Sequence, residues 1–585
     1  MARRKDPKKA QKSASARTTA SVFQNYSEET NPEPISQPTE KPAPQREVLT
    51  DDPSQYNFPW NVIYEFQDFL NLYMDFCKAA QIMTVLYIGQ IFYVHSTKMN
   101  DFNTLSSVGF SMLGAILALW LNHRSMLNKH KEQPERFKEP VLPDFNTMYA
   151  FVIPTLSFVL LGDVKSPFFQ VNLALNNFAI KNLHVVAKML SSFVFYYIYN
   201  DSESVDVLSF LRVIFTYFAF EYILDNWNEL SDELETSVKL TTMLPAEIHM
   251  ICVLMVNLLY NFDVRTMPFA LVLFRELLMA LIVASFVSYQ LYWVYLRMQQ
   301  NALRKTLAVL IAVVFCAVFY FAMDMLFKRE LHDQNPVLWL VYYILQSEER
   351  LHLIGYWIVC LLVAIPIIFG MAYNNYISLN IRRKVWHFML VICLGYPAFV
   401  TQPEFTAIAL LGSLVVFMVI EMIRCTRITF LGEFLYTELR FFQDEKDLKG
   451  PLNLSYIFLL AGVAGPLAYG YVLGDVVNLR SYIGLVTLGL GDSLASIVGK
   501  KFGKIKWKGA SRTLEGTITF MVVTFASFVV IDFYLLPEEN RVKNWENTFI
   551  VAMVAGILEG SATLNDNILI PCMVTLTYDL LNRTF

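Results

Sequence analysis

The residue best placed to do chemistry in this 585-residue sequence is Asp492, which lies inside an otherwise apolar stretch. A carboxylate at membrane depth is costly, so Asp492 is expected to face the protein interior or water and to have a function. If the stretch is helical, Asp492, Ser496, Gly499 and Gly503 share one face. The alternative is a small-residue face for helix packing, which explains the glycines but not the aspartate.

A lysine-rich loop follows directly, with five lysines and one arginine between Lys500 and Arg512. Cations and backbone N–H groups at the start of a helix are what a polyphosphate needs. A positive-inside flank and an anionic-lipid site explain the charge equally well, but not the glycines and hydroxyls beside Arg512. Trp507 either stacks on a base or sits in the interfacial aromatic belt, and the belt is favoured.

Further polar residues interrupt the apolar stretches on either side. Glu559 and Asp566 flank a turn, and the amides beside Asp566 suit a magnesium site, although ordinary turn chemistry explains the same residues. His387 follows a cationic cluster and is either a buried core histidine or a group for phosphate contact or proton transfer. The acidic loop 444–447 is a second place for a divalent ion, with a solvated turn as the favoured alternative.

The elements that must position these residues are long apolar blocks. Apolar residues make up 55% of the sequence, charged residues only 17%, and mean hydropathy is +0.40. About 20 such residues in a helix cross a bilayer, and this sequence has too many such blocks for a soluble core. The blocks are continuously apolar rather than alternating, which excludes a barrel. The predicted fold is therefore an all-α polytopic transmembrane bundle with roughly 15–17 spans.

The sequence divides into three predicted regions. Residues 1–60 are polar and predicted to form a disordered cytosolic tail. Residues 61–378 form a multi-span scaffold with few polar residues in its spans. Residues 379–585 collect the charged motifs and form the predicted catalytic membrane domain. The net charge of −4 favours no nucleic-acid partner, and none is predicted.

Taken together and in this order, five segments resemble the dolichol kinase family within the CTP-dependent polyprenol kinases. They are Arg383-Lys384-Val385-Trp386-His387, Asp444-Glu445-Lys446-Asp447, Gly491 through Gly499, Arg512-Thr513-Leu514-Glu515-Gly516-Thr517, and Glu559 with Asp566-Asn567. The glycine-aspartate-serine stretch, followed at this distance by the basic loop, is the specific part. Arg512 departs from the lysine expected there, which keeps the charge but replaces a point charge with a planar fork.

The resemblance implies transfer of the CTP γ-phosphoryl group to dolichol, giving dolichyl phosphate for protein glycosylation. It implies a multi-pass protein of the endoplasmic reticulum membrane, and the Lys/Arg excess predicts a site facing the cytosol. Mg²⁺ is the expected metal, with Asp492, Asp566 and Glu559 as ligands. Asp492, His387 and Glu515 are the candidate catalytic residues. The candidate CTP contacts are Gly499, Lys500, Lys501, Gly503, Lys504, Lys506, Trp507, Lys508, Gly509, Ser511, Arg512, Thr513, Gly516 and Thr517.

Two alternatives remain open at this stage. One is a CTP-dependent kinase for another lipid alcohol, such as diacylglycerol or a different polyprenol. The other is a membrane lipid transporter, since many spans with buried charges fit that class too. A transporter predicts two similar halves, whereas this sequence joins an apolar half to a charged one. The sequence indicates no particular protein partner.

Overall fold

A computed structural model describes most of the chain after the amino-terminal segment. The described residues are 76–99, 102–132, 145–161, 175–180, 183–199, 207–229, 243–261, 267–374, 376, 378–395, 398–443, 452–474, 476–507 and 512–584. The predicted tail 1–60, the acidic loop 444–447 and the candidate contacts Lys508, Gly509 and Ser511 lie outside these residues.

Apart from one isolated β-bridge, the regular secondary structure of the described residues is helical, as predicted. The helices of the first half are α1 Phe76–Met99, α2 Phe102–Glu132, α3 Asn146–Leu161, α4 Val185–Tyr199, α5 Val207–Glu229, α6 Pro245–Val256, α7 Phe269–Arg297, α8 Asn301–Phe327, α9 Pro336–Leu345 and α10 Glu348–Tyr373. Those of the second half are α11 Leu379–Leu394, α12 Ala398–Thr401, α13 Pro403–Thr426, α14 Phe430–Leu439, α15 Ser455–Val472, α16 Leu479–Gly484, α17 Asp492–Phe502, α18 Leu514–Tyr534, α19 Trp545–Ser561 and α20 Asp566–Thr584.

Eight of the described helical segments are long and apolar enough to cross a membrane: α1, α7, α8, α10, α13, α15, α18 and the continuous run Leu479–Phe502. The polytopic all-α class is confirmed. The larger predicted count of roughly 15–17 spans is not reached by this criterion. Several predicted spans, such as those now seen as α6 and α9, are shorter apolar helices.

Local sequence sets the helix boundaries near the charged end of the bundle. Thr513 precedes α18 and its hydroxyl accepts the backbone N–H of Gly516 at 3.3 Å. Asn544 precedes α19 in the same way, accepting the N–H of Glu546 at 3.1 Å. Such side chains satisfy N–H groups that a helix start leaves open, so both helices begin where the sequence provides a cap.

Residues 73–585 form one compact unit. Helices α1 and α3 of the first half pack against α20, and α1 also packs against α19. One apolar cluster joins residues of both halves, including Phe92 and Tyr149 from the first and Phe520 and Leu580 from the second. The predicted boundary near residue 378 therefore marks a change in composition, and helices from both sides of it share a core.

Candidate active site

The candidate site begins where a π-helical segment, Leu485–Gly491, joins α16 to α17. Asp492 is the first residue of α17 and is 6% exposed. An inserted π turn widens a helix locally and occurs often at functional sites. Here the wider turn directly precedes the only acidic residue of the run Leu479–Phe502.

Two side chains of α11 contact Asp492. The Lys384 ammonium donates to Asp492 Oδ2 in a short ion pair, and His387 Nδ1 lies 3.4 Å from the same oxygen. His387 Nδ1 is also 2.8 Å from the carbonyl oxygen of Leu488. Because a carbonyl only accepts, Nδ1 carries the proton in this arrangement and Nε2 of a neutral ring keeps the lone pair. His387 and Asp492, which the sequence gives as separate candidate catalytic residues, lie side by side in the fold.

In the basic loop between α17 and α18, the arm that ends at Trp507 pairs antiparallel with the arm that begins at Arg512, and these two arms are called the hairpin. Trp507 N–H donates to the carbonyl of Arg512 at 3.0 Å, and Leu514 N–H donates to that of Ile505 at 2.8 Å. Lys506 and Thr513 form the bridge between the two arms. The hairpin leaves Lys504 and Lys506 exposed.

Arg512 points from the hairpin toward the turn between α19 and α20. Its Nη2 donates to Asp566 Oδ2 at 2.9 Å, and its Nε lies 3.6 Å from Glu559 Oε1. Burial alone would lower the pKa of the Arg512 guanidinium, but the Asp566 and Glu559 carboxylates outweigh it and raise that pKa. Arg512 is therefore a permanent cation. The sequence assigned it to the CTP phosphates and the two carboxylates to a metal, and in this structure the three side chains pair with one another.

The two clusters share one electrostatic environment. The charge of Asp492 acts on both Arg512 and Glu559, and Lys384 also acts on Glu559. Lys500, which is exposed at the end of α17, lies within reach of the charge of Lys384. One end of the bundle thus holds three carboxylates and several cations on α11, α17, the hairpin, α19 and α20.

The glycines of this region serve helix packing. A Cβ on Gly499 would lie 2.8 Å from Thr513 Oγ1, and one on Gly516 would lie 3.5 Å from the Cα of Gly499. A Cβ on Gly503 would lie 2.1 Å from the carbonyl oxygen of Gly499. These positions keep α17 close to the start of α18, which is the packing alternative stated for the sequence. Phosphate contact by these glycines stays a prediction without support from their surroundings.

Two other candidate residues hold the hairpin in place. The Trp507 indole is buried and donates to Thr517 Oγ1 at 3.0 Å, so neither base stacking nor a place in the aromatic belt describes it. Its ring also lies 5.2 Å from that of Phe76. The Glu515 carboxylate accepts the backbone N–H groups of Lys504 at 2.8 Å and Ile505 at 3.2 Å. Glu515 therefore acts as a positioning residue, and its predicted catalytic role has no geometric support.

Thr513 and Thr517 are likewise engaged, since Thr513 caps α18 and Thr517 lies 3.4 Å from Glu559 Oε2. The exposed cations of the region are Lys500, Lys501, Lys504 and Lys506. These lysines are the predicted contacts that solvent and a polyphosphate can reach directly.

Sequence reasoning missed the contribution of the first half to this site. Glu247 of α6 accepts the backbone N–H of Asn565 at 2.9 Å, directly before Asp566. Asn146 of α3 bonds Thr563 at 2.9 Å, and Gln81 of α1 donates to the carbonyl of Ser561 at 2.5 Å. The presumed scaffold therefore fixes the α19–α20 turn. In the sequence, this contribution is indicated only by the presence of polar side chains within otherwise apolar helices.

Lys384 was also missed as a site residue, although it belongs to the cationic cluster before His387.

A further buried cluster was not predicted at all. Asp579 of α20 is held by Arg480 at 2.5 Å, Arg583 at 2.8 Å and the hydroxyl of Tyr469 at 2.9 Å. Every one of these partners lies in an apolar helix or at its end, so composition alone gave them no prominence.

A magnesium site at these carboxylates stays a prediction that would need the phosphates of a nucleotide as further ligands. Within the described part of the chain, no group of three or more His, Cys, Asp or Glu lies close enough to hold a metal alone. Mg²⁺ in kinase sites needs only one or two carboxylates because substrate phosphates supply other ligands. Asp492, Asp566 and Glu559 offer such oxygens at one end of the bundle, with cations beside them.

These features define a polytopic helical membrane protein with a charged, partly exposed site at one end of its bundle. Comparison with known proteins shows which proteins the chain is similar to. The chain is 39% identical to dolichol kinase of Saccharomyces cerevisiae over 251 residues, which are 42% of this chain and 46% of the relative. It is 33% identical to dolichol kinase sec59 of Schizosaccharomyces pombe over 263 residues, 43% and 51% of the two chains. It is 30% identical to dolichol kinase of Homo sapiens over 254 residues, 41% and 46%.

Over the matched residues the chain is similar to dolichol kinases, which is the family that the sequence motifs resemble. The chain spans about half of the length of the curated relatives it matches. No family model matches the sequence, and no solved structure matches the chain.

Proposed function

We propose that this protein is a CTP-dependent dolichol kinase of the endoplasmic reticulum membrane. The observation that carries the proposal is the joint placement of Asp492 and Arg512 at one end of a membrane bundle, beside exposed lysines. A lipid alcohol and a water-soluble nucleotide can meet only at the membrane surface. The names of the curated relatives supply dolichol as the acceptor.

Phosphoryl transfer asks a protein mainly for positioning and neutralisation of charge. The negative charge of a triphosphate would be neutralised here by Arg512 and by the exposed lysines 500, 501, 504 and 506. Arg512 Nη1 is buried and has no hydrogen-bond partner among the described residues, so a phosphate oxygen would satisfy it. A bound Mg²⁺, held by Asp492 and Asp566 with Glu559 nearby, would neutralise the β- and γ-phosphates.

In the proposed reaction, the dolichol hydroxyl oxygen attacks the γ-phosphorus and the bond to the bridging β–γ oxygen breaks. CDP leaves, and the hydroxyl proton passes to a protein base. Asp492 is the first candidate, because its carboxylate is buried between Lys384 and His387. His387 is the second, acting through Nε2. The products are dolichyl phosphate and CDP, and the lipid product would serve protein glycosylation.

The cations of the hairpin and of α11 favour a cytosolic orientation of the site. Microsomes that contain the protein test the proposal in a two-by-two assay of CTP or ATP against dolichol or diacylglycerol. We expect labelled dolichyl phosphate with CTP and dolichol only. Transfer from CTP to diacylglycerol instead would assign the chain to another lipid alcohol, and no transfer to any lipid would refute the kinase proposal.

A further inference from the structure

An apolar groove lies directly below the candidate site at membrane depth. Its volume is about 440 Å³, and α11, the segment from α16 to the π turn, and α18 form its walls. The inner wall includes Tyr482 and Ile531, both buried. The outer rim includes Ala526 and Val530, whose side chains are exposed on the surface of the bundle. The groove is thus open sideways, toward the lipid.

The upper end of the groove meets the candidate site. Leu490 lines the groove two residues before Asp492, and Val391 lines it one helical turn after His387. From Leu490 the wall continues down to Tyr482, about 12 Å along the helix axis. On α18 the lining extends to Leu535, which directly follows the last residue of that helix. The groove therefore leads from the level of Asp492 toward the end of the bundle opposite the hairpin.

The face of α18 that lines the groove continues, toward the start of the helix, to the buried side chain of Thr524. Thr524, Ser527 and Ile531 follow one another at helical spacing on one face. Thr524 is fully buried, and its hydroxyl has no hydrogen-bond partner within the described residues. A Cβ on Gly491 would lie 3.0 Å from this hydroxyl, so Thr524 stands beside the residue that precedes Asp492.

We infer that this groove holds the first isoprene units of a polyprenol acceptor, with the hydroxyl of the lipid directed past Thr524 to Asp492. The inference rests on the proposed function and adds a location for the lipid. A pocket of this size lies in the usual range for small ligands, about 300–1,000 Å³. It is too short for a whole long-chain polyprenol, so most of the tail leaves through the open side into the bilayer.

The inference is tested by narrowing the groove from its exposed rim. Ala526→Trp places a large ring in the opening without displacing core atoms, because Ala526 is exposed. The matched control is Ala312→Trp, an exposed alanine on α8 far from the groove lining. We expect Ala526→Trp to lower kcat/KM for dolichol by about tenfold or more while KM for CTP stays unchanged. The control should match the unmodified protein.

A second measurement keeps the inference testable if the variant inserts poorly. The unmodified protein in microsomes is irradiated with a polyprenol that carries a diazirine in its first isoprene unit. We expect the label on peptides containing residues 482–490 and 526–535, with competition by dolichol and none by phosphatidylcholine. Labels scattered over the lipid-facing helices, equal competition by phosphatidylcholine, or equal activity of the two tryptophan variants would overturn the groove. Absence of all transfer from CTP in the unmodified protein would instead refute the proposed kinase, so the two failures are distinguishable.

Discussion

Helix α20 carries one aspartate at its start and another near its end, and the two sites differ in how far their charged groups are exposed to solvent. Asp579 is 1% exposed, and two arginines and a tyrosine occupy both of its oxygens. Asp566 keeps 28% of its side chain exposed, and its partner Arg512 keeps 24%. Thirteen residues, about 20 Å of helix, separate the two aspartates.

The difference separates a structural ion cluster from a candidate functional one. A buried carboxylate whose partners are complete has no capacity left for a ligand, and removing one partner leaves an uncompensated charge. The Asp566 end instead combines partial exposure of both partners with nearby exposed lysines. Charge burial alone does not mark a candidate functional site, and exposure to solvent beside further cations is what separates the two ends.

The largest effect should come from the functional end. Asp492→Asn removes the charge of the first candidate base and metal ligand while it keeps the side-chain size. We expect kcat to fall about hundred- to ten-thousand-fold, the usual range for loss of an acid–base group. Thermal stability should fall as well, because the change leaves the largely buried ammonium of Lys384 without its counter-charge, so kcat is measured per correctly inserted molecule. Full CTP-dependent activity in a normally inserted Asp492→Asn protein would refute the role of Asp492.

The matched change at the structural end is Asp579→Asn. It leaves Arg480 and Arg583 without their counter-charge, so we expect the free energy of unfolding to fall by about 3–5 kcal/mol. Thermal denaturation in detergent measures this loss. Activity per folded molecule should remain close to that of the unmodified protein. A catalytic defect at unchanged stability would show that the comparison assigns Asp579 wrongly.

A smaller effect is expected from Arg512→Lys, which keeps the charge but removes the planar fork. Loss of one charged hydrogen bond amounts to about 1.5–3 kcal/mol, so kcat/KM for CTP should fall about ten- to hundredfold. The same change at Arg480 is the control and should lower thermal stability without raising KM for CTP. If the two variants changed KM for CTP and thermal stability equally, the Asp566 and Asp579 ends of α20 would no longer differ in function.

The smallest loss of activity is expected from weakening the contact by which Glu247 of the first half holds the α19–α20 turn. Glu247→Gln replaces one of the two carboxylate oxygens, which accept the N–H groups of Leu244 at 2.8 Å and Asn565 at 2.9 Å. One such bond is worth about 1 kcal/mol, so we expect about a fivefold loss of kcat. Hydrogen exchange at residues 562–566 should become faster. Glu276→Gln, in a buried pair with Arg275, is the control and should leave both quantities unchanged.

Much of this arrangement could be predicted from sequence, and particular residues show where prediction ends. Asp492 stands out because a charge in an apolar stretch is rare and costly. The helical class follows from the apolar blocks. The role of Gly499 depends on how close α18 approaches, which local sequence does not state. The bond from Asn565 to Glu247 joins positions 318 residues apart, and no local pattern indicates such a pair.

The open side of the groove below Asp492 has a consequence for substrate length. A closed tunnel would act as a ruler, accepting only chains that fit its depth. A groove that is open along the rim at Ala526 and Val530 contacts only the first part of a lipid chain, and the rest of the chain stays in the bilayer. Such an enzyme would treat homologous alcohols of different length alike, and the phosphorylated product would slide out sideways without leaving the membrane.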